Sequence, residues 1–216
     1  MSPRYDALGL QATAEPGSRG RVLANRLGIA RVRDMAEAES QALQIAQSDA
    51  IERYSADHRF NAGDIRALHR AWLWPIYEWA GEYRAVDLSK GGFRFANAAQ
   101  IPRLMAELER GALADFTPLS GEAIGDAALG LAVVHAELIL VHPFREGNGR
   151  LSRMLAMLMG LQAGFPPLDF SPMLGRGRQA YISGIHSAMG RDYQPLARMF
   201  GRIIERTLKT AASNSR

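Results

Sequence analysis

The stretch HPFREGNGRLSR, residues 142–153, sets a histidine, a glutamate, two glycines, an asparagine and three arginines directly behind one of the most apolar runs in the chain. Pro143 disfavours helical geometry at the residue before it, so a helix through the apolar run should end near Val141 and present His142 on a stiff backbone. Gly147 and Gly149 permit positive φ angles on either side of Asn148, which predicts a turn whose N–H groups converge on one point, a nest for an anion. A second helix, predicted over residues 149–164, would add its exposed N–H groups and its dipole to the same point. Two helices joined by a polar loop set the expected architecture.

The side chains add chemistry to that frame. Arg150 and Arg153, three apart, occupy neighbouring positions on one helix face and can turn toward the anion. Glu146 offers a hard carboxylate oxygen of the kind that holds Mg²⁺ between phosphates. An imidazole has an ordinary pKa of about 6.5 and accepts a proton from a hydroxyl near neutral pH, which suits His142 as a base. Phe144 carries none of this chemistry and is read as an anchor that buries itself and fixes the loop. A plain turn between helices would account for the glycines, but not for a base, an acid and two arginines in register with them.

Working outward, apolar spacing predicts a helix over residues 30–54 with Met35, Ala38, Ala42, Ile45, Ala46 and Ile51 on its inner side. A second helix begins near Asn61 or Asp64, carries Ile65, Leu68 and Trp72, and is interrupted by Pro75. "VDLSKGGFRF", residues 86–95, reads as a hairpin turning at Gly91 and Gly92, the one clear piece of β structure. Further helices are expected over residues 98–114, with Pro102 in the first turn, over the almost wholly apolar residues 120–141, and over 178–189 and 195–209. The expected fold class is all-α, mainly helical, with a short β-hairpin flap. An irregular arm over residues 1–28 precedes a single helical domain over 29–210 and a tail over 211–216. Trp72, Trp74 and Trp79 are assigned to core and hinge packing, and His135 to a core histidine with a hydrogen-bond partner.

Composition narrows the function classes. Of 216 residues 47% are hydrophobic, enough for a packed core, and the absence of cysteine excludes disulfides, thiolate zinc sites and cysteine nucleophiles. The apolar residues 129–141 carry His135 and Glu137 and fall short of the roughly 20 needed to span a bilayer. The start, MSPRYDALGL, lacks the pattern of a secretory signal, so a cytoplasmic address without membrane contact is expected. The net charge of +4 rests on arginine, since Lys90 and Lys209 are the only lysines. Those arginines are scattered without a nucleic-acid-binding pattern, and no Gly-x-x-x-x-Gly-Lys-Ser/Thr loop occurs.

HPFREGNGRLSR resembles the signature of the Fic family, His-Pro-Phe-x-(Asp/Glu)-Gly-Asn-Gly-Arg-x-x-Arg, with every specified position filled. IYEWAGEYR (residues 76–84), LSKGGFRF (88–95) and RDYQPLARMF (191–200) are similar to the segment before the family's flap, to the flap and to its closing helix. VLANRLGIARVRDMAEAE (22–39) resembles the lead-in of Fic proteins controlled by a separate antitoxin. The resemblance implies transfer of AMP from ATP to a hydroxyl of a target protein. His142 would be the general base and Glu146 would bind Mg²⁺. Gly147, Asn148 and Gly149 would cradle the α- and β-phosphates, Asn148 also by its side chain, and Arg150 and Arg153 would hold the β- and γ-phosphates. Lys90, Gly91, Gly92, Phe93, Arg94 and Phe95 would form the target-docking flap, where a strand edge can register an extended segment.

Many Fic proteins are held off by a Ser/Thr-x-x-x-Glu-Gly/Asn helix. Only SDAIE, residues 48–52, approaches that pattern here, and Arg53 stands where Gly or Asn is expected. The expected partners are therefore a target protein, topoisomerase-like by the resemblance, and a small antitoxin supplying the inhibitory helix, with no direct nucleic-acid contact. The alternatives are a Fic-fold transferase of another phosphate-containing group and a non-catalytic ATP-binding module.

Overall fold

A computed structural model of the chain describes residues 6–7 and 13–214. The helices are α1 (Val32–Arg53), α2 (Ala62–Leu73), α3 (Ile101–Leu108), the short α4 (Ala114–Phe116), α5 (Ile124–Val141), α6 (Asn148–Gln162), α7 (Arg178–Ala188) and α8 (Gln194–Asn214). The strands are β1 (Asp6–Ala7), β2 (Leu88–Lys90) and β3 (Phe93–Arg94). The fold is thus mainly helical with a small antiparallel sheet, as the periodicities predict. Its residues group into two compact units.

The first unit contains the described part of Met1–Arg53 with Ala62–Met105 and Val141–Leu151. Asp34 in the first turn of α1 and Arg53 in its last complement the helix dipole. Its buried stripe is Met35, Glu39, Ala46 and Ala50, so a carboxylate occupies a core position. Ile45 and Ile51, expected on the inner side, are exposed, because the buried face is narrow and follows the line of Met35, Glu39, Ala46 and Ala50, which leaves both isoleucines off it. Helix α2 buries Ile65, Leu68, His69, Trp72 and Leu73 and stops before Pro75. The Trp72 indole N–H donates to the Glu39 carbonyl at 2.8 Å, joining the two helices. Trp74 departs from the expected core packing: it is 37% exposed, with the guanidinium groups of Arg26 and Arg70 over its ring at 4.5 and 3.9 Å.

Strands β2 and β3 pair antiparallel about Gly91 and Gly92, both at positive φ. The hairpin is joined by β1, which pairs with β2 through Asp6 opposite Ser89 and Ala7 opposite Leu88. This short strand corrects two expectations, that of a wholly irregular N-terminal arm and that of the hairpin as the one β element. Two residues are too short to leave a sequence period. Val86 and Leu88 root the flap, with Phe95 packed against them.

The second unit contains Tyr54–Asn61, Ala106–Leu140 and Ser152–Arg216. Helix α5 is apolar on nearly every side, and Leu131, Ala132, Ala136 and Leu138 are wholly buried. Among the described residues it is the one helix long and apolar enough to cross a membrane, yet most of it is buried inside the fold. Gly184 of α7 faces Leu196 of α8, where a Cβ would come within 2.8 Å of Leu196 Cδ2. His135 of α5 meets Tyr181 of α7 at 3.0 Å and packs edge-on against Phe200 of α8.

His69 and His135 are wholly buried, and burial is the main reason that both imidazoles are pushed down to about 3 from an ordinary 6.5. The unfolded chain therefore binds protons below about pH 6.5 that the native fold refuses until about pH 3. Stability should decline as pH falls through that window, measured as the urea midpoint, and His135→Phe should shallow the decline. A flat profile in the parent protein would contradict neutral burial.

Candidate active site

At the exit of α5 the backbone of His142 adopts a left-handed φ of 51°, and the residue is buried. Arg84 holds it there. Its Nε donates to the His142 carbonyl at 2.8 Å, its Nη1 to Val86 O at 2.7 Å and its Nη2 to Ala96 O at 2.5 Å. The Arg84 backbone N–H also donates to Pro143 O at 2.9 Å. One buried guanidinium thus ties the loop to both ends of the flap. Burial lowers its pKa to about 10, which leaves it charged at neutral pH. Phe95 of the flap stacks on the His142 ring at 3.7 Å and 19°. Stacking covers a face of the imidazole and fixes the plane of its ring.

Below His142, Phe144 is wholly buried and stacks on His69 at 3.8 Å and 7°. Nδ1 of His69 accepts the Gly81 N–H at 2.8 Å, which places the ring proton on Nε2 to donate to Glu146 O at 3.1 Å. Gly81 is required at its turn, since it has φ 85° and a Cβ would lie 2.8 Å from Arg70 Cβ. The Asn148 amide closes back on Phe144, accepting from its N–H at 2.9 Å and donating to its carbonyl at 2.7 Å. This side chain braces the loop from within.

Of the two motif glycines, Gly147 takes the left-handed conformation, with φ 86°, and a Cβ there would strike Trp72 Cζ3 at 2.7 Å. Gly149 lies inside the first turn of α6, so the predicted pair of left-handed glycines reduces to one. The Gly147 carbonyl accepts from the N–H groups of Arg150 and Leu151 at 3.0 and 2.9 Å. The N–H groups of Asn148 and Gly149 precede those first intrahelical bonds and form the donor end of α6.

Three charged side chains meet beside this end. Glu146 Oε1 accepts the Gly147 N–H at 2.8 Å. Arg150 Nη2 lies 2.6 Å from Glu39 Oε2 and 3.6 Å from Glu146 Oε1. The Arg150 guanidinium sits 4.6 Å above the Trp72 ring, and its Nε is buried without a hydrogen-bond partner. The other Glu39 oxygen accepts from Tyr77 Oη at 2.7 Å. Burial, then the Glu39 charge, drives the Tyr77 hydroxyl far above the ordinary phenol range. Arg153 belongs to the second unit. There its charge adds to burial in holding His135 down, and partly offsets the burial that raises Tyr181 to about 12.

The first unit therefore brings together His142, Phe144, Glu146, Gly147, Asn148, Gly149, Arg150 and Phe95. In the flap, Lys90 and Phe93 pair across the turn, and Phe93 meets Phe95 edge-on at 5.1 Å. Because β1 covers the outer side of β2, β3 with Arg94 is the other edge strand. Sequence reasoning missed Glu39, His69 and Arg84. The first two carry a signal, a polar residue at an apolar register position of an amphipathic helix. Arg84 carries none.

Among the described residues no three His, Asp or Glu side chains cluster as a metal cage. A single hard carboxylate at Glu146 fits a Mg²⁺ ion held chiefly by substrate phosphates, the common arrangement for that cation.

Residues 59–159 match the model of the Fic/DOC family. The chain is 31% identical over 144 residues to the protein adenylyltransferase VbhT of Bartonella schoenbuchensis, covering 67% of this chain and 30% of that protein. It is 31% identical over 206 residues to the "Probable protein adenylyltransferase y4lH" of Sinorhizobium fredii, covering 93% of this chain and 99% of the relative. The crystal structure of BepC, a VirB-translocated effector of Bartonella tribocorum with bound AMPPNP, superposes with a TM-score of 0.67 at 26% identity, covering 84% of this chain and 91% of that one.

Gly147→Ala combines a left-handed backbone with a collision against a buried indole. It should cost about 1–3 kcal/mol, the range for a residue forced into such a conformation, as read from urea unfolding. An unchanged midpoint would show that the loop relaxes freely.

Proposed function

The chain belongs to the Fic/DOC family, and from that membership we propose that it moves AMP from ATP to a serine, threonine or tyrosine hydroxyl of a target protein. The target hydroxyl gives its proton to His142 as its oxygen forms a bond to the α-phosphorus. The bond from that phosphorus to the oxygen bridging it to the β-phosphate breaks, and pyrophosphate leaves. The observation that carries this reading is the placement of His142, held by Arg84 at the exit of α5, in the same unit as the donor end of α6. The nucleotide named for the Bartonella structure supports a polyphosphate as the ligand of that end.

The backbone N–H groups at Asn148 and Gly149 serve the α- and β-phosphates. Asn148 contributes through its backbone, because its amide is committed to Phe144. Arg150 and Arg153 hold the β- and γ-phosphates. A Mg²⁺ ion at Glu146 would neutralise phosphate charge. Such transfer depends on positioning and charge compensation more than on covalent help from the protein. An extended target segment docks along β3, since β2 is already paired on both sides. The off-state is imposed in trans by an antitoxin helix, the toxin of such a pair acting in the cytoplasm. The incomplete match at residues 48–52 supports this: Ser48 there donates to the Gln44 carbonyl at 3.2 Å within α1.

Incubation with α-labelled and with γ-labelled ATP in a cell lysate separates this from transfer of another phosphate group. Protein-bound label should come from the α-phosphate alone, and His142→Ala should slow its appearance by ~10²–10⁴-fold, the usual worth of a general base. Retention of γ-label alone would replace AMP transfer by kinase chemistry, and nucleotide binding without any transfer would leave a binding module.

A further inference from the structure

We infer that Glu39 is a positioning residue of this site, a counter-ion that holds Arg150 back from Glu146 and so keeps the Glu146 carboxylate competent for a divalent cation. The inference rests on the nucleotide-transfer reading above and assigns a role to a residue of α1, far from the motif in sequence.

The geometry is unequal in a telling way. Arg150 Nη2 is 2.6 Å from Glu39 and 3.6 Å from Glu146, so the first contact is a charge-assisted hydrogen bond and the second lies beyond hydrogen-bond range. The side chains of Glu39 and Glu146 are each 8% exposed and that of Arg150 17%, so these charges act on one another with little screening. Glu39 is itself immobilised: Tyr77 donates to its second oxygen at 2.7 Å, and its carbonyl accepts the Trp72 indole N–H at 2.8 Å. The Trp72 ring in turn underlies both the Arg150 guanidinium and Gly147. Glu39 therefore fixes Arg150 through its side chain and the platform beneath Arg150 through its backbone.

Glu39→Gln keeps the shape and removes the charge. Whichever way round the amide sits against Tyr77, it offers Arg150 no negative charge, and at most one neutral hydrogen bond in place of the charge-assisted one. The nearest remaining anion is Glu146, and Arg150 closes onto it in competition with the cation. A purely structural ion pair would behave otherwise, weakening the fold and all ligand binding together.

The test is the ratio of the AMPPNP dissociation constant in EDTA to that with saturating Mn²⁺, measured by calorimetry on the full chain. Glu39→Gln should lower this ratio about tenfold, the lower end of what loss of an outer partner costs a metal site. Glu39→Gln combined with Arg150→Met removes the competing cation and should restore the ratio, even though nucleotide binding as a whole is weaker. An unchanged ratio in Glu39→Gln, or no recovery in the double variant, overturns the inference. Should Glu39→Gln fail to fold, Tyr77→Phe loosens the same carboxylate and should lower the ratio by a smaller factor; no change there overturns the inference equally. If the parent protein binds AMPPNP with no gain from Mn²⁺, the metal-assisted nucleotide reading falls first, a failure visible without any variant.

Discussion

The Arg150 guanidinium is largely withdrawn from solvent beside two carboxylates at the foot of a glycine loop, and the first unit is organised around making that arrangement tolerable. A buried ion costs several kcal/mol unless its hydrogen-bonding capacity is met. Glu39 supplies one charge-assisted bond from α1, Tyr77 braces Glu39, and Trp72 supplies both a π face for the guanidinium and a donor for the Glu39 carbonyl, while Arg150 Nε is left without a hydrogen-bond partner. The requirement explains why a glutamate interrupts the buried stripe of α1. It also fits the two alanines C-terminal to Glu39 on that stripe: Ala46 and Ala50 let α1 lie close.

The loop over residues 142–147 works under a second constraint. Its backbone groups must be satisfied, yet the donors at the start of α6 must be spared for a ligand. The solution is to spend side chains on the inward-facing groups. The Arg84 side chain takes the His142 carbonyl, His69 takes that of Glu146, and the Asn148 amide takes both backbone groups of Phe144, while the Arg84 backbone N–H takes the Pro143 carbonyl. A neutral His69 is the right choice for its place, because it accepts from Gly81 and donates to Glu146 at once. A charged imidazole would have two donors and no acceptor.

Much of this organisation was legible beforehand. The helices followed from apolar spacing and from Pro75, Pro102 and Pro143, and the hairpin from Gly91 and Gly92. What escaped were partners joined across long stretches of chain. Glu39 and Arg150 stand 111 residues apart, and His69 and Glu146 stand 77 apart. No local pattern states that two polar residues at separate core positions face each other. Trp74 shows the same limit in reverse: an indole assigned to packing lies exposed against two arginines instead.

The sequence by itself determined the mainly helical class, the family and the position of the loop, because these depend on periodicity and on residue types whose backbone preferences act locally. Tertiary structure decided how the loop's groups are used. It turned Asn148 inward, left one of two glycines left-handed, laid Phe95 over His142 and gave Arg150 to Glu39 in preference to Glu146. Those outcomes follow from distance and burial among segments remote in the chain, which are set only once the fold has closed around them.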